Sequence, residues 1–114
     1  MALSTNGKNT MLSQLASVAL YASLHTGNPG DNGANEVSGG SYARKSLTWG
    51  SPSNGQIAIT NQPVFDVPGG TTVSYVGLWS ATSGGTFYGA ADVTDESFTN
   101  AGTYTLTSFT VSLT

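Results

Sequence analysis

Cysteine is absent from this chain of 114 residues, which removes disulfides, thiol catalysis and cysteine-based zinc sites at a stroke. Charge is nearly absent as well. Lys8, Arg44 and Lys45 stand against six acidic residues, for a formal net charge of −3, and only 8% of residues are charged. A typical soluble domain carries about a quarter. So few cations cannot neutralise a polyphosphate backbone, which excludes nucleic acid as a partner. No apolar run approaches the roughly 20 residues that span a bilayer, and no charged-then-apolar leader opens the sequence. Neither a membrane nor a secretory signal is therefore expected. No internal repeat of solenoid or propeller period is visible.

What the sequence does have is apolar and aromatic. Hydrophobic residues make up 38%, with two Trp, five Tyr and four Phe along the chain. Disordered segments show the reverse balance, so the chain is expected to fold as one domain over residues 1–114. Its polarity comes from Ser, Thr, Asn and 15 glycines rather than from charge. A surface of that kind suits contact with another protein, or exposure outside a cell.

The one helical segment lies near residues 5–16. Ser4 or Thr5 serves as N-cap, and Met11, Leu12, Leu15 and Ala16 recur at the spacing of one apolar stripe. Residues 18–25 could continue it, but Leu20, Ala22 and Leu24 alternate with Tyr21, Ser23 and His25, which favours a strand. Residues 26–40 carry Asn28-Pro29-Gly30, Asp31-Asn32-Gly33 and Gly39-Gly40, and read as a long surface loop of tight turns. Loops of that length tend to be functional or ordered by a partner. Strands are then expected over 42–49, around Ile57 and Ile59, at 64–67, over 72–80, at Phe87 and Tyr88, and over 103–113. Within 72–80, Val76 and Leu78 fall on one face and Val73, Tyr75 and Trp79 on the other. In the last strand Tyr104 and Leu106 share a face, whereas Phe109, Val111 and Leu113 have the opposite parity, the mark of a bulge or bend. About seven strands at a spacing of about ten residues predict a mainly β fold. The expected architecture is a small antiparallel β-sandwich over about 18–114, jelly-roll-like, with one short N-terminal helix.

Sites of chemistry are few. His25 is the lone histidine, and no serine sits in a Gly-x-Ser-x-Gly elbow, so His25 reads as a hydrogen-bonded structural residue. Asp92, Asp95 and Glu96 read as a solvated acidic loop, since glycosidase carboxylates converge from separate elements. Residues 28–36 offer oxygen ligands but fail the calcium-loop pattern. Trp49, Tyr75, Trp79, Phe87 and Tyr88 offer a sugar-stacking platform, against which core packing is the favoured reading. No catalytic, cofactor-binding or metal-ligating residue is assigned. Glu36 and Arg44 flank the Gly39-Gly40 turn and are placed to pair across it. Glu36, Tyr42 and Arg44, with Asn28 and Asp31 of the loop they frame, are the expected partner-contact residues.

Four stretches carry a resemblance: Ala2 to Asn9 (ALSTNGKN), Ser23 to Gly30 (SLHTGNPG), Gly33 to Arg44 (GANEVSGGSYAR) and Tyr75 to Ser80 (YVGLWS). In these the chain resembles a family of small virion proteins of tailed bacteriophages, common in phages of actinobacteria and described as tail-fibre-like, minor tail or head decoration proteins. The resemblance covers nearly the whole chain and brings no catalytic residue. It implies a non-enzymatic structural part of a virion. The expected role is a capsid decoration protein, a homo-oligomer and by preference a trimer, clamping the outside of the major capsid protein shell. Binding only the assembled shell would stabilise it by mass action. The alternative is a minor tail or tail-fibre protein, set among tail proteins, that contributes to attachment to a host-surface glycan.

Overall fold

The computed structural model describes residues 1–113. Helix α1 spans Thr5–Val18, and the Ser4 side chain caps it by accepting the Gly7 N–H at 3.1 Å. It runs two residues past the expected end, and the Ala19 N–H still reaches the Leu15 carbonyl at 2.7 Å. Only Leu12 of its apolar stripe is buried, while Met11 stays exposed. No helix of the described residues is long and apolar enough to cross a membrane.

Eight strands follow: β1 (Tyr21–His25), β2 (Lys45–Ser46), β3 (Gln56–Ala58), β4 (Val64–Val67), β5 (Thr71–Trp79), β6 (Phe87–Phe98), β7 (Gly102–Thr105) and β8 (Thr110–Ser112). One layer is a four-stranded antiparallel sheet in the order β2-β1-β5-β6. The other layer consists of two antiparallel ribbons, β3–β8 and β4–β7. The chain is thus a small, mainly β sandwich of antiparallel sheets with one short helix. On the inner face of the sheet, Ala22 lies opposite Leu78 and Leu24 opposite Val76. These pack against Phe65 and Val67 of β4 and against Leu106 and Phe109.

Four expectations are corrected, each for a physical reason. The strand expected over 42–49 shrinks to Lys45–Ser46, because Asn61 takes the place of a neighbouring strand. Its side chain accepts from the Thr48 N–H and donates to the Ser46 carbonyl. The strand expected over 103–113 is broken into β7 and β8, which pair with different ribbons. The phase slip falls in the stretch 106–109 between the two strands, where the kink lets both Leu106 and Phe109 reach the core. Val73 sits on the inner face with Val76 and Leu78 rather than with Tyr75, because a bulge intervenes between Val73 and Tyr75. Asp92, Asp95 and Glu96 belong not to a loop but to β6, the longest strand, where Glu96 pairs with Val73 and Asp92 with Tyr75. Gly89 and Ala91 at inner positions hide that strand from an apolar-alternation reading.

Phe65 is fully buried at the centre of the ribbon layer, with Tyr42 stacked on it at 6.5 Å. Phe65→Ala is expected to cost about 3–5 kcal/mol. A urea melt followed by tryptophan fluorescence measures it, and a loss below about 1 kcal/mol would move the core away from this ribbon.

Candidate functional site

The outer face of the four-stranded sheet is where the unusual chemistry collects. Strand alternation turns Ser23 and His25 outward, opposite Gly77 and Tyr75 on β5. The loop of residues 26–40 folds back over them. It is closed by hydrogen bonds from Thr26 N to Asn35 O, Ala34 N to Pro29 O and Val37 N to Leu24 O, each 2.9 Å. Asn28 holds the turn inside it, its Oδ1 accepting from Gly30 N while its carbonyl accepts from the Asn35 side chain.

Beneath the loop runs a directed chain of hydrogen bonds. The Trp79 indole N–H donates to Ser23 Oγ at 2.9 Å, and Ser23 Oγ lies 2.7 Å from His25 Nε2. His25 Nδ1 lies 2.8 Å from the Ala34 carbonyl. A carbonyl only accepts, so Nδ1 carries the proton, Nε2 is the acceptor, and the Ser23 hydroxyl donates to it. Ser23 and His25 are both 0% exposed. Burial lowers the His25 pKa below its ordinary value of 6.5, joined by the Arg44 charge and opposed by the Ala34 bond and by Glu36. His25 is therefore a neutral staple that fastens the loop to the sheet.

A serine beside a histidine at this distance invites a nucleophilic reading, and the surroundings answer it. The serine oxygen already accepts from Trp79, the histidine's other nitrogen faces a backbone carbonyl rather than a carboxylate, and both side chains are sealed from solvent. The two glycines that approach this cluster have no room for a side chain. A Cβ on Gly77 would stand 2.6 Å from Ser23 Oγ and 2.7 Å from His25 Nε2. One on Gly33, where φ is +75°, would collide with the Trp79 ring.

Glu36 and Arg44 pair as the sequence predicts, and Tyr42 joins them. Arg44 Nη2 donates to Glu36 Oε1 at 2.9 Å and Nε donates to Oε2 at 3.0 Å, a two-pronged contact. Nη1 donates to the Ala81 and Gly84 carbonyls at 2.9 and 2.8 Å, which ties in the β5–β6 loop. The guanidinium also lies 3.7 Å over the Trp79 ring, and the Arg44 side chain is only 8% exposed. The Tyr42 hydroxyl accepts from Leu24 N and donates to Glu36 Oε2. Burial pushes the Glu36 carboxyl up, but the hydrogen bonds from Arg44 and Tyr42, with the Arg44 and His25 charges, outweigh it and hold the group below the usual range. Burial, with the neighbouring carboxylate, raises the Tyr42 phenol.

Of the five residues predicted to contact a partner, the structure brings Glu36, Tyr42 and Arg44 together inside the molecule. Asn28 shapes the exposed loop, and Asp31 stands on its surface away from the cluster. The oxygens of Glu36 and the Asn28 side chain are spent on Arg44, Tyr42 and the turn, and no group of three or more metal-type ligands occurs among the described residues. The five aromatics do not form one platform. Trp79 and Phe87 lie under the loop 5.1 Å apart, whereas Trp49 packs on Phe109 elsewhere. Sequence reasoning missed Ser23 and the two glycines as members of the cluster. The alternating Ser23-Leu24-His25 was the available signal.

Two outcomes follow from this geometry. Arg44→Ala strands a half-buried carboxylate and two carbonyls, and is expected to cost about 3 kcal/mol. Arg44→Lys should recover only part, because an ammonium cannot make the two-pronged contact. Thermal melts of both variants, with amide exchange of residues 80–86, check this. Acid should destabilise the protein in two stages. The His25 pKa is lowered on folding, so its contribution is complete above the ordinary value of 6.5 and is lost as pH falls below it. The Glu36 contribution is lost further down, below its ordinary value of 4.5. In a stability–pH profile His25→Asn should remove the upper stage and keep the lower one.

Over residues 4–114 the chain matches the family described as podophage GP4 fiber I protein gp80. No curated protein matches it. The family description speaks of a fibre and gives neither the actinobacterial setting nor the capsid decoration that the resemblance led us to expect. With the match spanning all but the first three residues, the chain belongs to this podophage fibre family and is a structural component of a phage virion.

Proposed function

We propose that the protein is a non-enzymatic part of a podophage fibre, set among tail proteins, that contributes to attachment to a host-surface glycan. The family match carries this reading, and it favours a fibre over the shell clamp expected from sequence. The locked loop face supports it. Residues 26–35 are fastened to the sheet through Ala34 and residues 80–86 through Arg44, and their exposed groups are mainly hydroxyls and amides, among them Thr26, Asn28, Asn32, Asn35, Thr82 and Ser83. Asp31 is the one exposed charge there. A neutral, hydrogen-bonding surface held rigid before binding suits a polyhydroxylated ligand, because little ordering entropy remains to be lost. The sealed Ser23–His25 pair supports a role without catalysis.

The first measurement is copy number per purified particle relative to the major capsid protein, with gold labelling to locate the chain. A handful of copies at the tail, in small symmetric multiples, is expected. Hundreds of copies over the shell would overturn the fibre reading. For the loop face, an Asp31→Ala/Asn32→Ala variant should keep its melting temperature and lose binding to host envelope polysaccharide. Unchanged binding would move the contact elsewhere.

A further inference from the structure

The sandwich is closed on one flank and open on the other. Strand β6 ends the four-stranded sheet and is paired along one edge only, with β5, in a register that shifts at Tyr88 and across residues 93–95. Beyond the free edge runs the segment 104–112, antiparallel to β6 and joined to it through residues 99–103, yet no β-pairing links the two. A slot separates them. It comprises two adjoining depressions, one of about 600 Å³ between residues 92–96 and 104–108, and one of about 260 Å³ between residues 88–91 and 109–112. Consecutive residues line both sides, as they do where backbone rather than one side-chain face forms the wall. The core is correspondingly unfinished here: Ala91, Val93, Tyr104 and Val111 pack on it but remain only half-buried.

A long strand edge with free N–H and C=O groups is a template for another strand unless something blunts it. Here Pro and Lys are missing from β6 altogether, and the only blunting charges are Asp92, Asp95 and Glu96 at one end. Half of the chain's six acidic residues thus fall within five positions, beside Tyr104, whose phenol is raised by burial and by Glu96. No basic residue lines either depression. The slot therefore has an apolar end, floored by Leu15, Leu78 and Phe109, and an acidic end.

We propose that this slot takes an extended strand of another virion protein. Its backbone pairs with the free edge of β6, its apolar side chains enter beside Ala91 and Val111, and its Lys or Arg side chains meet Asp92, Asp95 and Glu96. Charge decides against a second copy of this chain as the occupant. Its side-chain cations are Lys8 on α1, Lys45 on β2 and the buried Arg44, and none lies on a free extended segment. About six residues of strand, roughly 20 Å, would run the length of the slot. The proposal requires only that the chain is a virion component, and it holds whether or not the loop face meets the host.

Photo-crosslinking in assembled particles tests it. Benzoylphenylalanine at Thr94 on one wall, and separately at Thr107 on the other, should cross-link to one Lys- or Arg-bearing segment of a different virion protein. Cross-links to another copy of this chain, or none at either site in particles that contain the chain, would overturn the proposal. Independently, the triple exchange Asp92→Asn, Asp95→Asn, Glu96→Gln touches only exposed side chains and should leave the melting temperature unchanged. Its incorporation into particles should fall about tenfold in competition with wild type, and more weakly at high salt. Equal incorporation would overturn the charge argument and the proposal with it.

Discussion

Arg44 is the constraint on which the loop face depends. Removing a guanidinium from water costs several kcal/mol, by order of magnitude, and the cost is offset only if its donors are matched in direction and number. Here four hydrogen bonds and an aromatic face meet it: two to Glu36, two to the carbonyls of Ala81 and Gly84, and the ring of Trp79. A well-packed apolar cluster in the same space could equal its stability. It could not hold the same geometry, because residues 26–36 and 80–86 are built mainly from Gly, Asn, Ser and Thr and offer little apolar surface to pack. In such segments directed hydrogen bonds must do what burial does elsewhere.

That requirement propagates through the cluster. The Trp79 ring that carries Arg44 is oriented by its own N–H bond to Ser23, and Ser23 can accept it because its proton goes to His25. His25 in turn fixes Ala34, and the bridge between His25 and Glu36 returns the chain to the carboxylate. Each group is held by the next, so removal of one leaves a buried donor or acceptor without a partner. The absence of side chains at Gly33 and Gly77 is part of the same arrangement, since a methyl group at either would displace the indole or the hydroxyl.

Much of this was legible in the sequence, and the remainder was not for identifiable reasons. The Glu36–Arg44 pair flanks a Gly-Gly turn in a chain with hardly any other charge, so scarcity itself made it visible. The helix, the loop 26–40 and the β class follow from local periodicity and turn chemistry. The Arg44 contacts to Ala81 and Gly84 span about forty residues and end on backbone oxygens, which leave no residue-type signature. Strand β6 was obscured because its inward positions include Gly89 and Ala91 beside Val93 and its outward ones include carboxylates, so poor strand formers outnumber good ones along its middle. Asn61 standing in for a strand partner is likewise a tertiary event that no pattern records.

The same scarcity of charge gives the β6 edge its meaning. In a chain with mixed charges everywhere, three carboxylates on an exposed strand would be ordinary protection against edge-to-edge association. In this chain they are half of all the acidic residues, gathered at one end of an edge whose other end is left apolar and open. Protection alone would have been served by a proline, a lysine or a tighter closure against residues 104–112. Like charges placed at one end repel a second copy in the registers that would overlap them, and they leave backbone groups available to a strand of opposite charge. At an edge that takes a strand from a different protein, that combination serves specificity: it disfavours self-pairing there and favours a neighbour of opposite charge.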